Sequence, residues 1–222
     1  MKKILMLLLA AVLLVPAVQA VADNNEHKES KELQKARKNQ YKNKIKELKK
    51  GKWELFGSSN TLEVALLKHY DRLERLGENG REISGTASRF KSKNVGHQQA
   101  LNNAAIRYAQ QAGSHVRGRM VSDVAANSEN TSAEMDHFYG AYESLVEKEI
   151  KGELVESYTL IRPLDKKKTE FEMITFFIVD EDAATRARVR AMENALKESR
   201  AAPEHANAVS QFVREGFATT TD

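Results

Sequence analysis

The sequence predicts an α+β protein, an antiparallel sheet of about three strands covered by long helices, with a helical extension ahead of it. Three observations carry this. Residues 81–91 alternate between small apolar and polar side chains. Residues 96–125 repeat alanine and larger apolar residues at helical spacing. Residues 153–162 and 169–179 are apolar runs flanking a charged loop, the pattern of a hairpin.

Element by element, the chain starts with an address. Lys2 and Lys3 precede an apolar run from Ile4 to Val15, broken by Pro16 and closed by Val18-Gln19-Ala20. This has the form of a secretory signal peptide cleaved after Ala20, and the run is shorter than the ~20 residues a membrane span needs. Residues 21–52 are polar and basic. Leu33, Arg37, Tyr41, Ile45 and Leu48 fall on one thin helical stripe, which predicts a solvated or partner-packed helix, frayed before about Glu32. The alternative is a basic helix lying on anionic lipid, though it lacks the bulky apolar face such helices need.

Trp53 to Phe56 is a short apolar patch. Asn60 is the expected N-cap of a helix over 61–76, with Glu63 as the reciprocal partner and Gly77 at its C-terminal end. The strand at 81–91 puts Ile83, Gly85 and Ala87 on one face. Side chains so small require a neighbour that approaches the backbone closely. The following helix offers one, through Ala100, Ala104, Tyr108, Ala112, Val116 and Met120, with a kink allowed at Gly113 or Gly118.

Thr131-Ser132-Ala133-Glu134 is a capping box for a helix over 132–150, whose apolar face is Met135, Phe138, Tyr142, Leu145, Val146 and Ile150. In the hairpin, the second strand is apolar on both faces, which predicts a central position. Asp180-Glu181-Asp182 suits a helix start. Ala184, Ala187, Ala191 and Ala195 form the stripe of a helix to about Arg200. Pro203 opens a last helix with Ala206, Val209, Val213 and Phe217 inward, and 218–222 is a frayed tail. The expected organisation is therefore signal 1–20, basic extension 21–52, and one α+β domain over 53–217.

Composition narrows the chemistry. The 222 residues hold 35 Lys+Arg, 31 Asp+Glu and no cysteine, which excludes disulfides, thiol catalysis, zinc-thiolate sites and an acylated N-terminal cysteine. Without the two signal lysines, 33 basic residues face 31 acidic ones, net +2. The charge is uneven. Residues 21–52 hold 11 basic and 5 acidic residues, net +6, and the chain from Trp53 on holds 22 and 26, net −4. A body without a basic stripe and interleaved aromatics argues against a nucleic-acid partner.

The run from Ile83 to Val179 resembles a family of small bacterial envelope proteins, the LPP-twenty-type lipoproteins and the N-terminal domain of the flagellar assembly protein T. The resemblance rests on Ile83-Ser84-Gly85-Thr86-Ala87-Ser88, on Ala100, Ala104, Ala105, Ala109 and Ala112, and on the hairpin segments Leu154–Ile161 and Phe171–Val179. The chain is also similar to exported Bacteroidetes-type proteins with a Trp-Gly-Ser-Leu-Glu segment, here Trp53 to Glu63. The resemblance implies an α+β fold and an envelope location, and no catalytic residues. The lipid anchor of the lipoprotein members has no cysteine here to carry it.

Catalytic motifs are absent. His69 sits on or beside the apolar face of its helix, as a satisfied core-edge histidine. His97, His115 and His137 show no metal-ligand spacing. No nucleophile elbow, phosphate-cradling loop or calcium loop occurs. Glu147 and Glu149 point apart on a helix. Asn130-Thr131-Ser132 matches a glycosylation acceptor but suits a cap better. The expectation is a non-enzymatic, exported cell-envelope protein, periplasmic or outer-envelope associated and not lipidated, acting as an interaction or structural module without cofactors or metals. Its partner would be an envelope protein or a membrane surface, and a homodimer through a sheet edge is open to it. The contact surfaces would be the Arg-rich helix side with Arg186, Arg190 and Lys197, near Arg188 and Arg200, the hairpin tip with Lys166, Lys167 and Lys168, and the basic extension. The alternative is a binding protein for a small apolar or anionic ligand, in a pocket lined by Tyr108, Phe138, Tyr142 and Phe177. An enzyme would need a cleft joining a histidine to two carboxylates.

Overall fold

A computed structural model describes residues 17–124, 129–198 and 206–215. Most of the signal segment, Pro203, Phe217 and the tail lie outside them. The chain divides into two compact units, one ending at Glu47 and one beginning at Leu48. Helix α1, Ala17–Lys50, supplies the described part of the first. It is helical from Ala17 rather than from about Glu32, and its residues 31–40 are exposed on every side.

The second unit is α+β, as its sequence predicts. Its elements are β1 (Glu54–Phe56), α2 (Leu62–Leu76), β2 (Gly80–Phe90), α3 (Lys93–Val124), α4 (Glu129–Ile150), β3 (Val155–Pro163), β4 (Phe171–Asp180), α5 (Glu181–Glu198) and α6 (Ala206–Glu215). The sheet has four antiparallel strands in the order β1-β3-β4-β2 rather than about three. The extra one, β1, lies in the patch Trp53 to Phe56 and pairs with Thr159–Ile161. Three residues show no alternation of their own, so β3 defines this strand.

The two apolar faces of β4 meet different partners. Phe177 and Val179 join Ile83 in the main core, with the inner faces of α3, α4, α5 and α6. Met173 joins Ala87, Phe90, Ala100 and Ile161 in a second cluster on the same side. Phe176 faces the other way, toward His69 of α2. The sheet therefore lies between α2 on one face and the layer built on α3 on the other.

Small residues permit the closest approach in the fold. A Cβ at Gly85 would stand 1.8 Å from the carbonyl oxygen of Ala100 and 2.7 Å from the Ala104 nitrogen. The α3 backbone thus rests directly on β2, as the alanine stripe requires. α3 stays one helix through Gly113 and Gly118. Gly113 makes room for Glu143 of α4, whose carboxylate oxygen would lie 3.0 Å from an added Cβ.

Two caps differ from expectation. Thr61, not Asn60, caps α2, its hydroxyl accepting from the Val64 N–H at 3.3 Å. The Asn60 amide instead donates to Ser58 Oγ at 3.1 Å. α4 begins at Glu129, which puts Thr131 inside the helix and not at its cap. Asp180 does cap α5, accepting from the Asp182 N–H at 3.0 Å.

Candidate functional site

Three polar constellations stand out. The first lies between α2 and the sheet. β3 carries a bulge: Glu156 stands opposite Phe177 and Tyr158 opposite Phe176, so Ser157 is an extra residue between them. The bulge sends Glu156 to the α3 side and turns Ser157 and Tyr158 toward α2. There His69, only 1% exposed, bridges two strands. Its Nδ1 is 2.9 Å from Ser157 Oγ, and its Nε2 is 2.5 Å from Glu82 Oε2 of β2. Tyr70, Tyr158 and Phe176 meet the ring edge-on, and Tyr158 stacks on Phe176 with centroids 4.5 Å apart. His69 is thus a satisfied buried histidine, with a hydroxyl on one nitrogen and a carboxylate on the other. On the opposite face, His97 Nε2 is 2.8 Å from Glu156 Oε2, and Glu156 accepts from the buried Thr159 hydroxyl at 2.6 Å.

The second constellation is buried among α3, α5 and α6. Arg188 is 2% exposed. It is expected near the basic helix side of Arg186, Arg190 and Lys197, and it turns into the core instead. It donates to Tyr108 OH, to Glu181 Oε2 at 2.8 Å, to Thr185 Oγ1 at 2.6 Å and to the Val213 carbonyl at 3.4 Å. Arg81 extends the network, 3.8 Å from Glu181 Oε1 and 3.0 Å from Gln111 Oε1. Burial raises the phenols of Tyr108 and Tyr142 far above the usual tyrosine range. Burial works against the charge of Arg188, but its interactions with Tyr108 and Glu181, including the Glu181 hydrogen bond, outweigh it and hold the guanidinium above its ordinary value. The guanidinium is spent on this chain's own groups, so the cluster ties α5 to α3 and α6.

Of the aromatic residues expected to line a pocket, Tyr108 is part of this network. Tyr108, Phe138, Tyr142 and Phe177 all belong to the main core, and Phe138 stacks on Tyr142 at 6.0 Å. The structure brings the four together in one buried hydrophobic cluster. The Tyr142 hydroxyl is buried with no hydrogen-bond partner among the described residues.

The expected contact surfaces divide. Lys166, Lys167 and Lys168 are exposed, on a loop held by Asp165, whose carboxylate accepts from the Thr169 and Glu170 N–H groups at 2.8 and 3.1 Å. Arg186 and Lys197 are exposed on α5. Arg190 is committed to Glu149 at 2.8 Å and Glu153 at 3.6 Å, so this side holds less unspent charge than the residue types suggest. Arg200 lies outside the described residues. Glu147 pairs with Lys151 and Glu149 with Arg190, apart as expected.

The third constellation is on α1. Helical spacing aligns Lys31, Lys35, Lys38, Lys42 and Lys46 on one face. All five are exposed. At about 1.5 Å per residue the row is about 22 Å long. Residues 31–47 hold seven basic and two acidic side chains, and the ion pair of Lys44 with Glu47 leaves the row untouched. Like charges a turn apart repel and cost helix stability.

Among the described residues, no His, Cys, Asp and Glu side chains group to hold a metal, and no helix is long and apolar enough to cross a membrane. No family model, curated protein or solved structure matches the chain. What fold and sites define is a class: an α+β unit with a helix-covered antiparallel sheet, preceded by a basic helix.

Proposed function

We propose that this chain is an exported cell-envelope protein that works as an interaction module, bound to an anionic membrane surface through its N-terminal helix. The lysine row of α1 is the observation that carries this reading. A lysine near an anionic leaflet contributes about 1 kcal/mol, and a row along one helix face brings five within reach of one plane. The apolar side chains of the same stretch, Leu33, Tyr41 and Ile45, are too few for insertion, and Ile45 is already buried. Attachment is therefore electrostatic and reversible. The export signal read from residues 1–20 and the resemblance to envelope lipoproteins agree with it, the row taking the place of a lipid anchor. The exposed lysines at 166–168 are a second contact surface of the same sign.

Fractionation of cells making the full chain tests this. The protein sediments with membranes at low salt and is released by a wash at about 0.5 M salt, where screening is short-ranged. Replacing the five row lysines with glutamine moves it to the soluble fraction. Equal partition of the two forms, or wild-type protein that resists the salt wash, contradicts the reading.

A further inference from the structure

We propose that Ser157, His69 and Glu82 form an acyl-transfer site, with Ser157 as nucleophile, His69 as its general base and Glu82 as the positioning residue. The inference is independent of the lysine row. It rests on a line of three groups brought from β3, α2 and β2, residues 88 and 13 positions apart in the chain.

The geometry accommodates the tautomer a base needs. A carboxylate oxygen accepts, so with the proton on Nε2 the ring donates to Glu82 Oε2 at 2.5 Å. The neutral ring then has its lone pair on Nδ1, 2.9 Å from Ser157 Oγ, and the serine hydroxyl donates to it. A hydroxyl on a base whose other nitrogen is oriented by a carboxylate is the arrangement that activates serine. The ring is used the opposite way from the familiar serine triad, in which the hydroxyl faces Nε2. Either nitrogen serves as a base once the other is held.

The surroundings suit the role. Tyr70, Tyr158 and Phe176 meet the imidazole edge-on and hold its orientation. Ser157 is half-buried, and Glu82 is exposed over 42% of its side chain, so the line opens at the sheet surface. The bulge sets Ser157 out of the β3–β4 register, where bulges re-aim side chains and free a peptide group from the ladder. The substrate class such a line would take is a small ester, for which an acetyl ester is the simplest probe.

The reaction balances without a cofactor. Ser157 Oγ bonds to the acyl carbon as its proton passes to Nδ1. The adduct breaks its bond to the leaving alcohol, which takes the proton from Nδ1. Water then attacks the acyl-serine, giving a proton to Nδ1 that returns to Ser157 as the acid departs. Ester and water become acid and alcohol.

The test treats the intact protein with a fluorophosphonate probe and maps the modified residue by mass spectrometry, with p-nitrophenyl acetate hydrolysis alongside. The expected result is a label on Ser157, lost in Ser157→Ala together with the hydrolysis. Glu82→Gln keeps a partner for the ring but removes its charge, and slows labelling on the order of tenfold or more. It also changes the pH profile of labelling while leaving the melting temperature within a few degrees. A purely structural role for Glu82 would move the melting temperature and not the profile. Unlabelled Ser157 in folded protein, or equal labelling rates in wild type and Glu82→Gln, overturns the proposal.

Discussion

Arg188 and Tyr142 sit side by side in the core and predict opposite effects of mutation. Arg188 is buried with its charge matched by Glu181 and three further donors taken by Tyr108, Thr185 and the Val213 carbonyl. Arg188→Met leaves Glu181 and the Tyr108 hydroxyl without it. Breaking a buried pair on one side costs about 3–5 kcal/mol, so the urea midpoint falls sharply. Adding Glu181→Gln recovers part of that loss, which a double-mutant cycle reads directly. Tyr142 carries a buried hydroxyl with no hydrogen-bond partner among the described residues. Removing an unsatisfied polar group relieves its desolvation, so Tyr142→Phe raises stability by about 1 kcal/mol in the same urea assay. Arg188 was legible in the sequence at one level and hidden at another. Arg186, Arg190 and Lys197 read as a basic side, with Arg188 placed near it. Yet Ala184, Arg188, Ala191 and Ala195 share the helical stripe that the alanines bury, and that spacing was the signal for an inward arginine. The Ser157–His69–Glu82 line had no such signal beyond His69 on an apolar face. Its partners are distant in the chain, and Ser157 reaches the ring only through a bulge that no local pattern announces.

At the scale of elements, the seat of α3 on β2 depends on two backbones in contact. Gly85→Ala places a methyl carbon where the Ala100 carbonyl oxygen already is. Neither partner is a flexible side-chain end, so helix and strand must separate. Overpacking of this kind costs about 1–3 kcal/mol or more, and the melting temperature drops by several degrees or the unit fails to fold. An unchanged melting temperature would show that α3 is not seated there. The long elements were legible because each has its own period: the alanine stripe of α3, the alternation of β2, the doubly apolar β4. β1 was not, because three residues have no period and pair only because β3 presents an edge. The α2 cap shifted by one residue, from Asn60 to Thr61, since both are good caps and Asn60 is engaged with Ser58.

For the whole molecule, pH acts on folding through groups that burial has shifted. His115 is held below its ordinary value of 6.5, first by burial and then by the charges of Arg119 and Arg188. The unfolded chain therefore binds this proton more readily than the folded one. The contribution of His115 is complete above about pH 6.5 and is lost as pH falls from there through the lowered folded value. Urea midpoints measured from pH 7.5 to 5 decline in the wild type, and His115→Gln declines less. A variant curve parallel to the wild type would remove His115 as a source.

Charge is also the property that separates the N-terminal helix from the folded unit, net +6 over residues 21–52 against −4 from Trp53 on. The most direct test of the role given to that helix is a salt titration of vesicle binding. The intact protein is mixed with vesicles of phosphatidylglycerol and phosphatidylcholine, or of phosphatidylcholine alone, and bound protein is measured by sedimentation. The expected result is binding to the anionic vesicles only, weakening steeply as salt rises, with most of the binding lost when Lys31, Lys35, Lys38, Lys42 and Lys46 become glutamine. Binding that ignores salt, ignores lipid charge or survives loss of the lysine row would contradict it.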